Sequence, residues 1–415
     1  MIENHLKLAP QCRMMKICGI DIIGNPDTNT IIGLNEEGVA LIHHLEQTSE
    51  INVSCLNDNQ VLLLSELSKN GFFTESEFTF DMYSTYFHIT SHCNLNCPGC
   101  YSFEKDRNAV INLSINELKQ ILDNLVKAGL THMVISGGEP FIRDDLEDFL
   151  AYARSIQQIK YIECITNGTA ALNKYIEASK YLDKLTFSLD SATVESAMIR
   201  PANIFNIITE KLITLQSKNI PVSVVFTIHH GNVSHCDDLI SFAHSMNVEY
   251  RFSILTVEAF RGTTSPLILT ANDCQVFHDF IVGHQGNISI EDGAVGDDIG
   301  CLISCSAGKT MVAVASDGTI YPCHMFIGKK QFAMGNALRD DIKTIVNSKQ
   351  YNQFFGLNVD CIKHCKGCNV RYICGGGCRF RAYAISGDLC GADPLCKTFL
   401  ANKEAGIQRL LLSSF

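Results

Sequence analysis

YFHITSHCNLNCPGC, residues Tyr86 to Cys100, is an apolar, β-branched run that breaks into three closely spaced cysteines. The run Tyr86–Thr90 reads as a buried strand, so Cys93, Cys97 and Cys100 fall on the loop at its C-terminal end. Three thiolates on one short loop can hold three corners of an iron–sulfur cubane and leave the fourth iron without a protein ligand. A zinc site completed by His92 or His88 uses the same residues, and spacing alone does not choose between the two metals. Three unrelated thiols are the remaining reading.

Outward from this stretch, strands and amphipathic helices alternate. Strands are expected at Tyr86–Thr90, His132–Ser136, Tyr161–Thr166, Lys184–Leu189, Pro221–Ile228 and Glu249–Ile254. Ile115–Ala128, Leu146–Arg154, Ile204–Lys218 and Cys236–Met246 are expected as helices between them. Six βα units predict an α/β fold with a parallel sheet, open or closed into a partial barrel, and in both cases the active site lies at the C-terminal strand ends. After Pro266 the rhythm is lost, and Gly and Cys become frequent up to Cys396. That segment is expected to be stapled by metal rather than to build an apolar core of its own.

Before the alternation, an apolar run Met14–Ile23, a turn at Asn25-Pro26-Asp27 and a second run Thr30–Gly33 predict two short strands. Helices are then expected over Asn35–Leu45 and Asn59–Asn70, closed by Gly71.

Composition excludes several classes. The 415 residues are 46% hydrophobic and 19% charged, which fits a folded chain of two to three domains rather than a disordered one. The net charge of −11 and the lack of a dense basic run disfavour nucleic acid as a partner. No apolar stretch approaches the ~20 residues of a membrane helix. The opening MIENHLKLAP lacks the blocks of a signal peptide, so a cytoplasmic location with no membrane partner is expected. In a reducing compartment, 19 cysteines point to metal rather than to disulfides.

Four motifs follow successive expected strands: the CxxxCxxC loop, Gly137-Gly138-Glu139-Pro140, Thr166-Asn167-Gly168 and Ser188-Leu189-Asp190. Glycines 137 and 138 admit close backbone approach to a ligand, and Glu139 has the chemistry to accept from an ammonium. Ser188 and Asp190 share one strand face and suit ribose hydroxyls. Together, in this order, the motifs resemble those of radical S-adenosylmethionine enzymes over about half the chain. That resemblance implies a partial (β/α)6 TIM-like barrel and a [4Fe–4S] cluster on Cys93, Cys97 and Cys100 whose free iron chelates S-adenosylmethionine. It also implies a 5′-deoxyadenosyl radical that abstracts a substrate hydrogen. Gly137, Gly138, Glu139, Pro140, Asn167, Ser188, Asp190 and Arg200 are the implied cofactor contacts, with Arg200 near the carboxylate; its other reading is a solvated surface charge. Where many family members carry an aromatic residue before the third cysteine, this chain has Gly99, and Tyr101 is the substitute.

A second constellation runs Cys305-x12-Gly318-x4-Cys323, then Cys365-x2-Cys368-x5-Cys374-x3-Cys378, then Cys396. This resembles the SPASM domain, an appendage of radical S-adenosylmethionine enzymes that act on peptides and proteins. The resemblance implies two auxiliary [4Fe–4S] clusters, three in all. Cys305, Cys323 and Cys378 fall to one, with Cys301 as an added ligand, and Cys365, Cys368, Cys374 and Cys396 to the other. A pair of zinc ribbons is the competing reading. Cys390 rivals Cys396 as last ligand, and Cys361 is undecided. Cys12, Cys18, Cys55, Cys164, Cys236 and Cys274 read as small buried residues. No histidine is assigned chemistry, and the catalytic base is unknown.

The N-terminal order of two strands and helices resembles the winged-helix-like peptide-recognition element of ribosomal-peptide maturases, which hold a leader peptide on a sheet edge. The expected organisation is therefore a leader-binding domain over 1–80, a radical S-adenosylmethionine barrel over 81–285 and a SPASM domain over 286–415. The expected activity is thioether formation in a ribosomally made precursor peptide, of the sactipeptide or ranthipeptide type, with a flavodoxin- or ferredoxin-like electron donor. Carbon–carbon cross-linking or other side-chain oxidation, including sulfatase maturation, and a non-catalytic iron–sulfur or zinc peptide binder are the alternatives.

Overall fold

A computed structural model describes residues 6–17, 19–48, 51, 55–73, 82–103, 106–256, 266–284, 288–290 and 299–413. Cys18 lies outside them.

The N-terminal unit holds three strands where the sequence predicts two. β1 (Arg13–Ile17), β2 (Ile20–Asn25) and β3 (Thr30–Leu34) form an antiparallel sheet in that order. The single apolar run is split by a turn at Gly19, whose φ of +84° favours a residue without a Cβ. α1 (Glu36–Thr48) and α2 (Asp58–Lys69) follow and bury Leu41, Ile42, Leu45, Leu64 and Leu67 against Ile23 and Leu34. A capping box between Asn57 and Gln60 starts α2, and Gly71, at φ +69°, lies just beyond it.

The six expected parallel strands are present, each within two residues of its expected start. β4 (Ser84–Thr90), β5 (His132–Gly137), β6 (Tyr161–Thr166), β7 (Lys184–Leu189), β8 (Val222–Ile228) and β9 (Glu249–Ile254) pair in sequence order. α3 (Ile115–Lys127), α4 (Leu146–Ser155), α5 (Leu172–Ser179), α6 (Asn203–Ser217) and α7 (Cys236–Ser245) connect them. α8 (Ala271–Gly283) follows β9. α3 shows the physical logic: a Ser114–Glu117 capping box opens it, and Leu118, Ile121, Leu122 and Leu125 form one fully buried stripe.

The segment after Gly283 does contribute to an apolar core, contrary to expectation. β10 (Met311–Val314) pairs parallel with β4, and β11 (Thr319–Tyr321) and β12 (Gly335–Asn336) continue the sheet antiparallel. The result is one nine-stranded sheet that crosses residue 285. Val312, Val314 and Ile320 belong to the same core as the barrel strands. Three short helices, α9 (Ile342–Val346), α10 (Arg371–Cys374) and α11 (Arg379–Ser386), precede the 18-residue α12 (Cys396–Ser413). None of the described helices is long and apolar enough to cross a membrane.

β1 docks the N-terminal sheet on this last region. Met15 and Ile17 pack with Cys301, Val359, Ile362, Cys365 and Ile373 in one buried cluster.

Candidate active site

The strand register shifts between His88 and Thr90, so the end of β4 is re-aimed where the cysteine loop departs. The loop is then tied down from behind. The Cys93 N–H donates to Asn108 Oδ1 at 2.9 Å, and Asn108 Nδ2 donates to the Cys93 carbonyl at 3.0 Å. Arg107, 5% exposed, donates to the Leu95 carbonyl and points Nη1 at Cys100 Sγ, 3.9 Å away. Sequence reading missed this pair, because nothing in its spacing marks two residues that act only through the loop they hold.

Cys93, Cys97 and Cys100 line one wall of a 160 Å³ pocket at the C-terminal ends of the strands. Gly137 and Gly138, Asn167 and Ser188 line it as well, so that every one of the four motifs reaches it, and Arg200 joins them. A Cβ on Gly138 would stand 2.0 Å from the His92 carbonyl, so this glycine is needed for the β5 end to pack on the cysteine loop. The Gly138 N–H donates to Thr90 O and the Glu139 N–H to His92 O, which joins the two segments.

Three expected cofactor contacts, Glu139, Pro140 and Asp190, are placed differently. Glu139 is 1% exposed and does not line the pocket. Its carboxylate accepts from Phe141 N, Thr166 Oγ1 and Asn167 N, at 3.2, 2.7 and 2.7 Å. It therefore braces the Thr166-Asn167-Gly168 turn instead of facing an ammonium. Burial pushes its pKa up to about 7, against those three donors. Pro140 is buried at the start of the short 3₁₀ turn behind it.

Asp190 is likewise 1% exposed, one residue beyond β7, and is not available to ribose hydroxyls. Its Oδ2 accepts from Met198 N and Ile199 N, and its Oδ1 receives Arg200 Nη1 at 3.1 Å. Asp190 is thus the anchor that sets Arg200 in the pocket wall. The side chain of Arg200 is 13% exposed, which removes the surface-charge reading, and its Nε is buried with no hydrogen-bond partner. A buried guanidinium with an unfilled donor beside the cysteine loop suits a carboxylate ligand.

Tyr101 also lines the pocket, with its hydroxyl 3.0 Å from Ser136 Oγ. Thr227, Ser253, Thr256, His324 and Met325 line the pocket too. His324 stacks on Tyr86 and meets Tyr101 edge-on, with ring centroids at 4.1 and 5.2 Å. It follows Cys323 directly, so the two cysteine constellations meet at this pocket. The general rule that a lone histidine is structural hid it.

Burial pushes the Cys97 thiol up to about 11, opposed by the Arg200 charge, and raises Cys93 too. Metal binding must displace those protons.

The later cysteines sort into two groups. Cys365, Cys368, Cys374 and Cys396 line a single cavity of 470 Å³, and Cys390 does not. Cys305, Cys323 and Cys378 share an apolar cluster with Tyr321, Phe326 and Phe380, where Cys390 also packs. Cys301 is not in that cluster. Its side chain is fully buried in the interface with β1, where a Cβ on Gly24 would stand 2.6 Å from its Sγ. Of the cysteines read as buried, Cys164 and Cys236 are so, Cys55 is exposed, and Cys12 and Cys274 are half-buried. Cys361 is exposed.

Among the described residues, no three His, Cys, Asp or Glu side chains gather tightly enough for a single metal ion. Cys93, Cys97 and Cys100 line one cavity and Cys365, Cys368, Cys374 and Cys396 another, spaces that suit an iron–sulfur cluster.

Residues 87–243 match the radical SAM superfamily, and residues 305–369 match SPASM, an iron–sulfur cluster-binding domain. A PqqA peptide cyclase of Streptomyces rochei is 23% identical over 74% of this chain and 87% of its own. Two solved structures share the fold. One is native anSMEcpe with bound AdoMet and the Kp18Cys peptide, with a TM-score of 0.63 and 17% identity over 80% of this chain and 99% of that one. The other is Streptococcus suis SuiB bound to the precursor peptide SuiA, with a TM-score of 0.59 and 15% identity over 94% and 99%. The chain thus carries a radical SAM domain around the three-thiol loop and an iron–sulfur cluster-binding SPASM domain after it, the domains of an enzyme that uses [4Fe–4S] clusters and S-adenosylmethionine.

Proposed function

We propose that the enzyme matures a ribosomally made precursor peptide by installing a thioether cross-link. In this reading residues 1–80 bind the leader, 81–285 form a partial barrel around the reaction pocket, and 286–415 carry two auxiliary [4Fe–4S] clusters. Cys93, Cys97 and Cys100 hold the first cluster, Gly137, Gly138, Asn167, Ser188 and Arg200 hold S-adenosylmethionine, and this pair supplies a carbon radical able to take a hydrogen atom. Cys305, Cys323 and Cys378 hold one auxiliary cluster, and Cys365, Cys368, Cys374 and Cys396 the other.

The observation that carries the reading is the shared wall of the pocket. A substrate side chain beside the first cysteine loop would also lie against His324 and Met325, directly after Cys323. Two supports are added by relatives: the Streptomyces rochei relative is a PqqA peptide cyclase, and SuiB is seen with a precursor peptide. The outer strand β3 of the N-terminal sheet offers an edge for a peptide strand. The chain's own residues bind and orient. Asp190 sets the Arg200 guanidinium, Glu139 sets the Asn167 turn, and the Arg107–Asn108 pair sets the loop. The electron donor in this reading is a flavodoxin or ferredoxin, and the location is cytoplasmic.

Thioether formation breaks one C–H and one S–H bond and forms one C–S bond; the carbon's hydrogen atom would pass to reductively cleaved S-adenosylmethionine and leave as 5′-deoxyadenosine, the thiol proton would pass to solvent, and the remaining electron would return to an iron–sulfur cluster. The test is anaerobic reaction with S-adenosylmethionine, dithionite and a short cysteine-containing precursor peptide, to be sought among the reading frames beside the gene. The expected product is lighter by two hydrogens, with one cysteine no longer alkylated. The same mass loss with every cysteine still alkylated would replace the thioether by a carbon–carbon bond, and unchanged peptide would overturn the reading.

A further inference from the structure

A second cavity adjoins the reaction pocket. It opens beyond the end of β9, and Ile254, Leu255 and Thr256 line both spaces. Its other walls are Ile268, Leu269 and Cys274 from the start of α8, and Ala384, Ile385, Pro394 and Leu395 from the SPASM region. At 50 Å³ it is small against the 160 Å³ of the main pocket.

Three observations say what it would take. First, the walls are aliphatic, and Ile385 at the rim is 61% exposed. Secondly, among the described residues the one charged lining residue, Arg381, is held in a buried ion pair. Its Nε and Nη2 donate to Asp393 at 3.2 and 3.0 Å, and its guanidinium lies over the Phe399 ring. The described walls are therefore charge-balanced and mostly aliphatic, and an acidic or basic side chain would give up its hydration there without a free countercharge among the described residues. Thirdly, Thr256 is 4% exposed, and its hydroxyl is buried without a hydrogen-bond partner. A buried orphan hydroxyl at the junction of two cavities is a group waiting for a polar atom that arrives with a ligand.

We propose that this cavity is a specificity subsite that takes one neutral aliphatic side chain of the peptide substrate, next to the residue being modified, while the Thr256 hydroxyl bonds the peptide backbone between them. The proposal rests on the peptide reading above and adds to it which neighbouring residue the enzyme selects. Continuity with the reaction pocket fixes the occupant. A chain lying across Leu255 and Thr256 has one side chain toward the cysteine loop and a neighbour toward Leu269 and Ala384.

The probes are the capped tripeptides acetyl-Gly-Leu-Gly-amide and acetyl-Gly-Asp-Gly-amide, titrated by saturation-transfer NMR into enzyme loaded with clusters and S-adenosylmethionine. The leucine peptide is expected to bind roughly tenfold or more tightly than the aspartate one, the range an aliphatic pocket can discriminate. Ala384→Trp, which fills the cavity, should erase that preference while 5′-deoxyadenosine formation without peptide stays at the wild-type level. Leu269→Ala, which enlarges the cavity, should retain the preference and keeps the test open if the tryptophan variant misfolds. Equal binding of the two peptides, or a preference that survives in a folded Ala384→Trp enzyme, would overturn the subsite and leave the peptide reading intact. That reading fails separately, on the mass of the treated precursor.

Discussion

Glu139 and Asp190 look alike at the level of single residues, as carboxylates directly after strand ends, and both act through another group. With three donors converging on its carboxylate, Glu139→Gln places an amide N–H₂ against backbone N–H groups it cannot satisfy. The expected cost is about 1–3 kcal/mol of stability, read as a lower thermal midpoint. A folded variant with unaltered stability and lost S-adenosylmethionine binding would instead return Glu139 to the cofactor. Cys301 is the other residue whose placement changes its expected role. Because its thiol is packed against Gly24 and Met15, Cys301→Ala should leave the number of irons and the spectrum of the auxiliary clusters unchanged. A shifted auxiliary-cluster signal would make it a ligand.

The elements that the sequence announced are those whose pattern is long. The parallel strands β4 to β9 are runs in which apolar residues dominate or alternate, and the helices between them carry stripes such as Leu118, Ile121, Leu122 and Leu125. Shorter or interrupted elements escaped. The β1–β2 hairpin hides inside one apolar run, since only Gly19 marks its turn, and β10 spans four residues in a segment read as metal-stapled. The cysteine spacings, Gly137-Gly138 and Arg200 were legible as a site because the residue types are rare and their positions at strand ends repeat. The partners of Glu139 and Asp190 were not legible, since a carboxylate's direction depends on donors contributed by distant turns. The hairpin also yields a test of interface packing. A Cβ at Gly24 would meet both Cys301 Sγ and Cβ, at 2.6 and 2.8 Å, so Gly24→Val should overpack the junction by about 1–3 kcal/mol. Faster proteolysis within the N-terminal unit would show it, and unchanged protection would mean that the hairpin is not held against Cys301.

At the scale of the whole molecule, the pocket is assembled from distant stretches of chain: the β4 loop, the ends of β5 to β9, and the segment after Cys323. Its rear is held by buried neutral imidazoles. Burial lowers the pKa of His229 to about 4 and that of His88 to about 3. The unfolded chain binds those protons near the ordinary value of 6.5, so this contribution to stability is complete above pH 6.5 and is lost as pH falls toward 4. Glu139 works in the opposite sense, its raised pKa favouring the folded state as it protonates. The comparison that isolates His229 is therefore wild type against His229→Gln. The thermal midpoint of the wild type should fall more steeply than the variant's between pH 6.5 and 4, and parallel curves would contradict the assignment.

The central claim is that the loop after β4, alone among the cysteine sites, carries the cofactor chemistry. Its most direct test is the anaerobic yield of 5′-deoxyadenosine with dithionite from a protein in which Cys93, Cys97 and Cys100 are all replaced by alanine. Iron and sulfide are counted in the same preparation. The account predicts that cleavage of S-adenosylmethionine is abolished while about eight of about twelve irons remain, those of the two auxiliary cubanes. Cleavage that persists in the triple variant would contradict it.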